Sequence, residues 1–213
     1  MKRIYKLLLV CTAMISVSTT VEAQSAPREG DIILNPYYGG PNFGKNLFSN
    51  STIEVNDNEI QSVNTTTTGL GPMGLRGGYM LSDKVMIGLD VIYNGFTTEY
   101  TYTKQNDPVV YNGRLTMNRV RVQARFNFNF ETSSNVFKPY FGAGIGYNGR
   151  FWTIEDNGQN IQEGDVNGLP AAILPVSARI AFGSNFFITD QIAINGEIGL
   201  GGPVLSAGLT FKL

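Results

Sequence analysis

The chain has 213 residues, 42% of them hydrophobic, 15% charged and 11% aromatic, with 25 glycines, one cysteine and no histidine. Without histidine there is no Ser-His-Asp or Cys-His nucleophile, and a single cysteine leaves no ordinary zinc site, haem ligation or internal disulfide. The low charged fraction and the richness in glycine and aromatics lean toward one all-β domain, not an enzyme, with no catalytic, cofactor-binding or metal-binding residue to nominate.

Lys2, Arg3 and Lys6 open the chain with positive charge, and Leu7 to Val17 form a short, mostly apolar run. Val21-Glu22-Ala23 then places short residues at the −3 and −1 positions of a cleavage site. Residues 1–23 therefore read as a signal peptide cut between Ala23 and Gln24, with 24–213 as the mature domain. The apolar run falls short of the ~20 residues of a membrane-spanning helix. Val10, ahead of Cys11, is not the small residue that a lipidation signal needs. Processing removes Cys11 together with Lys2, Arg3, Lys6 and Glu22, three of the 16 basic groups and one of the 17 acidic, leaving a net charge of −3. That balance argues against a nucleic-acid partner.

Beyond Gln24 apolar residues alternate with polar residues or glycine, the period of β-strands. Eight such segments follow in order, at 31–39, 67–81, 85–98, 114–130, 138–152, 172–188, 191–200 and 204–213. In the third, Val85, Ile87, Leu89, Val91 and Tyr93 oppose Gly88, Asp90 and Asn94. The fourth is the clearest, with Val120, Val122, Ala124, Phe126, Phe128 and Phe130 against Arg119, Arg121, Gln123, Arg125, Asn127 and Asn129. The fifth sets Phe141, Ala143, Ile145 and Tyr147 against three glycines and Asn148. The seventh sets Ile192, Ile194, Ile198 and Leu200 against Asn195, Glu197 and Gly199. The last sets Leu205, Ala207, Leu209, Phe211 and Leu213 against Ser206, Gly208, Thr210 and Lys212.

Tight turns at Ser82-Asp83-Lys84 and Thr189-Asp190 and a short connection from Glu131 to Phe137 alternate with long connections at 40–66, 99–113 and 153–171, and only Gly201-Gly202-Pro203 breaks the trend. Turns at one end and loops at the other are the layout of a bacterial transmembrane barrel. A soluble sandwich or cup would also alternate. Three features place lipid outside. The non-apolar face is rich in Gly, Asn and Arg, as suits a narrow filled lumen. Aromatics gather near strand ends (Tyr93, Phe130, Phe137, Tyr140, Phe151, Trp152, Phe186, Phe187), where interfacial girdles belong. An even strand count, completed at Leu213, closes a sheet without edges. The expected fold class is all-β, an eight-stranded antiparallel transmembrane β-barrel.

The ending Leu205-Ser206-Ala207-Gly208-Leu209-Thr210-Phe211-Lys212-Leu213 resembles the C-terminal strand of Gram-negative outer membrane proteins, although these most often end in Phe or Tyr. Lys138-Pro139-Tyr140-Phe141-Gly142-Ala143-Gly144-Ile145-Gly146-Tyr147 is similar to a strand of the small OmpA/OmpX-like barrels of the porin family, and Phe187 to Ala193 to one of their periplasmic hairpins. The resemblance implies a place in the cell outer membrane, surrounded by lipid and lipopolysaccharide. It also implies that the barrel assembly machinery reads Leu209, Phe211 and Leu213 during insertion. No peptidoglycan-binding domain is expected beyond the barrel.

With the polar face inward, Arg76, Arg119, Arg121, Arg125, Arg150, Arg179 and Lys212 enter the lumen, against Asp90 and Glu197, with Glu99 near a rim. Buried guanidiniums need partners, so Arg76, Asp90, Arg119, Arg121, Arg125, Arg150, Arg179 and Glu197 are expected to form a lumen ion-pair network. The long connections carry Glu54, Asp57, Glu59, Glu155, Asp156, Glu163 and Asp165, read as solvated loop charge. Asp156-Asn157-Gly158 lacks the spacing of a calcium loop. Thr65 to Thr68 reads as extended polar chain, and the Gly-rich pieces near Gly69 and Gly74 lack the following helix of a phosphate cradle.

Three functions stay open: a structural or surface-interaction protein acting through long loops, a small-solute channel with an Arg-lined lumen, and a barrel subunit docked to an envelope protein partner.

Overall fold

The computed structural model describes residues 26–50, 60–104, 107–134, 136–161 and 175–213. The expected signal peptide with its Ala23–Gln24 junction, and the acids Glu54, Asp57, Glu59, Glu163 and Asp165, lie outside these residues. In chain order the elements are β1 (Ile32–Gly40), α1 (Phe43–Asn50), β2 (Ile60–Met80), β3 (Val85–Lys104), β4 (Asp107–Asn129), β5 (Phe137–Asp156), β6 (Gln159–Ile161), β7 (Val176–Phe187), β8 (Ile192–Leu200) and β9 (Leu205–Lys212). Eight strands close into one antiparallel barrel, in which β4 pairs with β5, β5 with β7, and β9 returns to β1. Among the described residues the short β6 pairs with β5 alone.

The barrel is apolar outside and polar within, as the period of two requires when lipid is the solvent. Leu89, Phe126, Ile145, Ile180 and Ile198 stand exposed on the outer surface. Their chain neighbours Asp90, Arg125, Arg179 and Glu197 are buried in the lumen. Three aromatics assigned to the girdles in fact face inward: Tyr140 and Phe187 are buried, and Trp152 lines an internal cavity. Each sits one residue out of phase with an outward aromatic (Phe141, Phe186 and Phe151), so strand parity overrides position along the strand.

The lower turns agree with the sequence reading. Between β2 and β3 the Leu81 amide donates to the Val85 carbonyl, and between β7 and β8 the Ile188 amide donates to the Ile192 carbonyl. The upper end differs. β2, β3, β4 and β5 run 20 to 23 residues, against 8 to 12 for β1, β7, β8 and β9. A tilted strand crosses a bilayer in ~9–11 residues, so half of the circumference rises well above the other half. The expected 99–113 loop is instead paired strand, from Gly113 opposite Tyr100 up to Asp107 opposite Lys104. Thr65 to Thr68 likewise belong to β2. Above the bilayer both faces are wet, so apolar alternation disappears, while Thr and Tyr keep their preference for pleated backbone. Cross-strand hydroxyl pairs Thr67–Thr98 (3.0 Å) and Thr97–Thr116 (3.1 Å), with stacked Tyr102 and Tyr111 rings 5.2 Å apart, hold this wall together. Burial and the nearby Asp156 carboxylate push the Tyr100 and Tyr102 hydroxyls above the usual phenol range.

Two local features were not legible from alternation. Asn157 (φ 51°) and Gly158 (φ 80°) both occupy the left-handed region, which makes Asp156-Asn157-Gly158 part of the tight hairpin turn between β5 and β6. Helix α1 sits in the barrel mouth. Asn42 caps it, accepting from the Lys45 amide (3.2 Å), and its amide nitrogen donates to the Leu70 and Gly95 carbonyls on β2 and β3. Gly44 lies so close to Phe96 that a Cβ there would collide with the ring.

Candidate functional site

The lumen is the one place where charged side chains converge under burial among the described residues. Arg76 on β2 lies directly opposite Asp90 on β3, which fixes their contact through register. Its Nε donates to Asp90 Oδ2 (3.2 Å) and its Nη2 to Glu197 Oε1 (2.9 Å). Arg125 on β4 spans the same two acids, with Nη1 on Asp90 Oδ2 (3.3 Å) and Nη2 on Glu197 Oε2 (2.6 Å). Arg179 on β7 reaches Glu197 Oε1 through Nη2 (2.6 Å) and the Pro203 carbonyl through Nη1 (3.1 Å). None of these five side chains exposes more than 4% of its surface.

Neutral groups complete the layer. Tyr37 donates to Asp90 Oδ1 (2.6 Å), and its ring lies 4.0 Å beneath the Arg76 guanidinium. Tyr140 donates to Glu197 Oε2 (2.8 Å), and Arg76 donates to Asn35, Asn195 and Ser206. The contributors come from β1 (Asn35, Tyr37), β2, β3, β4, β5 (Tyr140), β7, β8 (Asn195, Glu197) and β9 (Ser206). Every strand of the closed barrel is therefore laced to the others at one level. Three cations meet two anions, and each carboxylate is saturated by several donors, which is the condition under which buried charge is tolerated.

Arg119, Arg121 and Arg150 depart from the expected network. They face inward but sit above it, and they form no ion pair among the described residues; the acids Asp90 and Glu197 are a layer below, already occupied. Register places Arg119 directly opposite Arg150, and Arg121 opposite Asn148. Arg119 Nε donates to Asn148 Oδ1 (2.7 Å). Arg121 is 8% exposed, and its Nε is buried without a hydrogen-bond partner, as is Asn94 Oδ1 nearby. These groups line a cavity of about 230 Å³ under α1, walled also by Phe96, Met117 and Trp152. Below the network lies a second cavity of only about 30 Å³, bounded by Met80, Met86 and Pro27. Glu99 is far up the wall, bound to Arg114 (2.9 Å) on the outer strands. In β9, which closes against β1, Leu209 is exposed and Phe211 half-buried, and Leu213 just beyond the strand is exposed.

Sequence reasoning missed the aromatic half of this upper cavity, because Phe96 and Trp152 lie beyond the region of clean alternation. Their parity with Asn94 and Arg150 was the available signal.

Among solved structures, the chain is similar to the N-terminal β-barrel domain of Pseudomonas aeruginosa OprF, at 13% identity and a TM-score of 0.39, covering 88% of this chain and 100% of that one. It is also similar to the outer membrane protein OprG from Pseudomonas aeruginosa, at 15% identity and a TM-score of 0.44, covering 90% and 99%. No curated protein matches. The model of the outer membrane protein beta-barrel domain matches residues 8–202. The chain belongs to that family of outer membrane barrels.

Proposed function

We propose that this protein is a non-enzymatic, structural or surface-interaction barrel of the outer membrane, which holds its long outer strands and loops at the cell surface and does not conduct. The observation that carries this reading is the Arg76–Asp90–Arg125–Glu197–Arg179 layer. It draws side chains from all eight barrel strands into one hydrogen-bonded cross-section and separates the upper cavity from the small lower one. A solute would have to break several buried, charge-assisted hydrogen bonds to pass. The exposed apolar belt is the surface that outer membrane lipid and lipopolysaccharide would cover, and Leu209, Phe211 and Leu213 on the closing strand are what the assembly machinery would read.

The channel reading has its support in the Arg-lined upper cavity, which lies above the ion-pair layer. Planar-bilayer recording of the purified, refolded protein separates the two. The expected result is no stable conductance step. Steady ohmic steps would overturn the non-conducting reading and put the channel in its place. Native pull-down in mild detergent tests the third reading, a subunit fixed to an envelope partner.

A further inference from the structure

We infer that the upper cavity is a binding site for a small amphipathic anion, an organic carboxylate or phosphate ester whose charged head meets Arg119, Arg121 and Arg150 and whose apolar body lies against Phe96 and Trp152.

Three independent observations converge on it. The first is electrostatic. Arg119 and Arg150 are directly opposite each other in the β4–β5 register, an arrangement that destabilises a sheet. No carboxylate lines the cavity among the described residues, and none makes an ion pair with its three guanidiniums. The second is a hydrogen-bond deficit. Arg121 is more than nine-tenths buried, yet its Nε has no acceptor. An oxyanion at the terminal nitrogens of this guanidinium would give the buried cation the charge-assisted partner it lacks. The third is shape. The cavity is about 230 Å³ and lies above the ion-pair layer and beneath α1, with Phe96 and Trp152 packed edge to face at 6.1 Å along its wall. A bare inorganic anion would leave that wall unused. The charge and the apolar surface together select a molecule with both.

The chain supplies its own reporter, since Trp152 is its single tryptophan and lines the cavity. The test titrates the refolded barrel in detergent micelles with hexyl phosphate and follows Trp152 emission, with inorganic phosphate and hexanol as the two half-ligands. Hexyl phosphate should give a saturable shift, and each half-ligand should bind at least about tenfold more weakly. A charge-assisted hydrogen bond is worth on the order of a tenfold change in affinity, so Arg121→Gln should weaken binding by about that factor or more. Arg150→Gln, nearer the mouth and less buried, serves as a second variant should Arg121→Gln fail to assemble. Both are checked for a heat-modifiable folded band. The inference is overturned by the absence of a saturable response, by equal binding of hexanol or inorganic phosphate, or by unchanged affinity in a folded arginine variant. The readout is independent of conductance, so it stands apart from the bilayer experiment.

Discussion

Glu197 accepts from Arg76, Arg125, Arg179 and Tyr140, and so touches four strands besides its own. Glu197→Gln preserves the shape but leaves three buried guanidiniums to share the single charge of Asp90. Breaking a buried pair in this way costs about 3–5 kcal/mol. The expected result is a lower urea midpoint for the lipid-folded barrel and partial loss of its heat-modifiable form. A loss below about 1 kcal/mol would show that water hydrates the guanidiniums and that the layer is not a dry seal. Asp90→Asn should follow the same trend, because Arg76, Arg125 and Tyr37 all converge on that carboxylate.

At the scale of the strand, side chains are expected to differ in cost by depth. Leu89 faces outward at the level of the ion-pair layer, one residue from Asp90, whereas Phe128 pairs with Val85 beside the lower turn. Leu89→Arg should therefore cost about 2–4 kcal/mol of folding free energy in lipid vesicles and Phe128→Arg about 0–1. Equal costs would mean that no hydrocarbon surrounds these strands. The same depth argument explains what could be read from the sequence. Between the lower turns and Asn94 or Arg119 one face meets lipid and the other a filled lumen, so the contrast is sharp and residues such as Val122 and Gln123 declare their sides. Higher up, Glu99 to Thr103 are exposed or half-buried on both faces, and the pairing that continues there leaves no hydropathy signature. Inside the lumen the limit is different. Composition names the arginines but not which acid each one reaches. Only the register sets Arg76 against Asp90 and Arg119 against Arg150.

At the scale of the whole molecule, charge is layered along the barrel axis. The ion-pair layer carries three cations and two anions, and three further arginines stand above it with none. The two cavities of the lumen are thus unlike, the upper one arginine-lined and about 230 Å³, the lower one only about 30 Å³.

The uneven rim has a practical outcome for what reaches the cell exterior. β4 exceeds a bilayer span by about a dozen residues, so at ~3.3 Å per residue and a tilt near 40° the β3–β4 hairpin stands roughly 30 Å above the hydrocarbon. The β8–β9 connection at Gly201 and Gly202 rises hardly at all. An epitope inserted between residues 105 and 106 should therefore be labelled by antibody on intact cells, while the same epitope between 201 and 202 should stay silent until the envelope is opened. Labelling at both sites would mean that the low side is not sheltered by headgroups, and labelling at neither would mean that the barrel sits the other way up. The tall side is a mast on which foreign peptides can be flown without disturbing the lumen beneath.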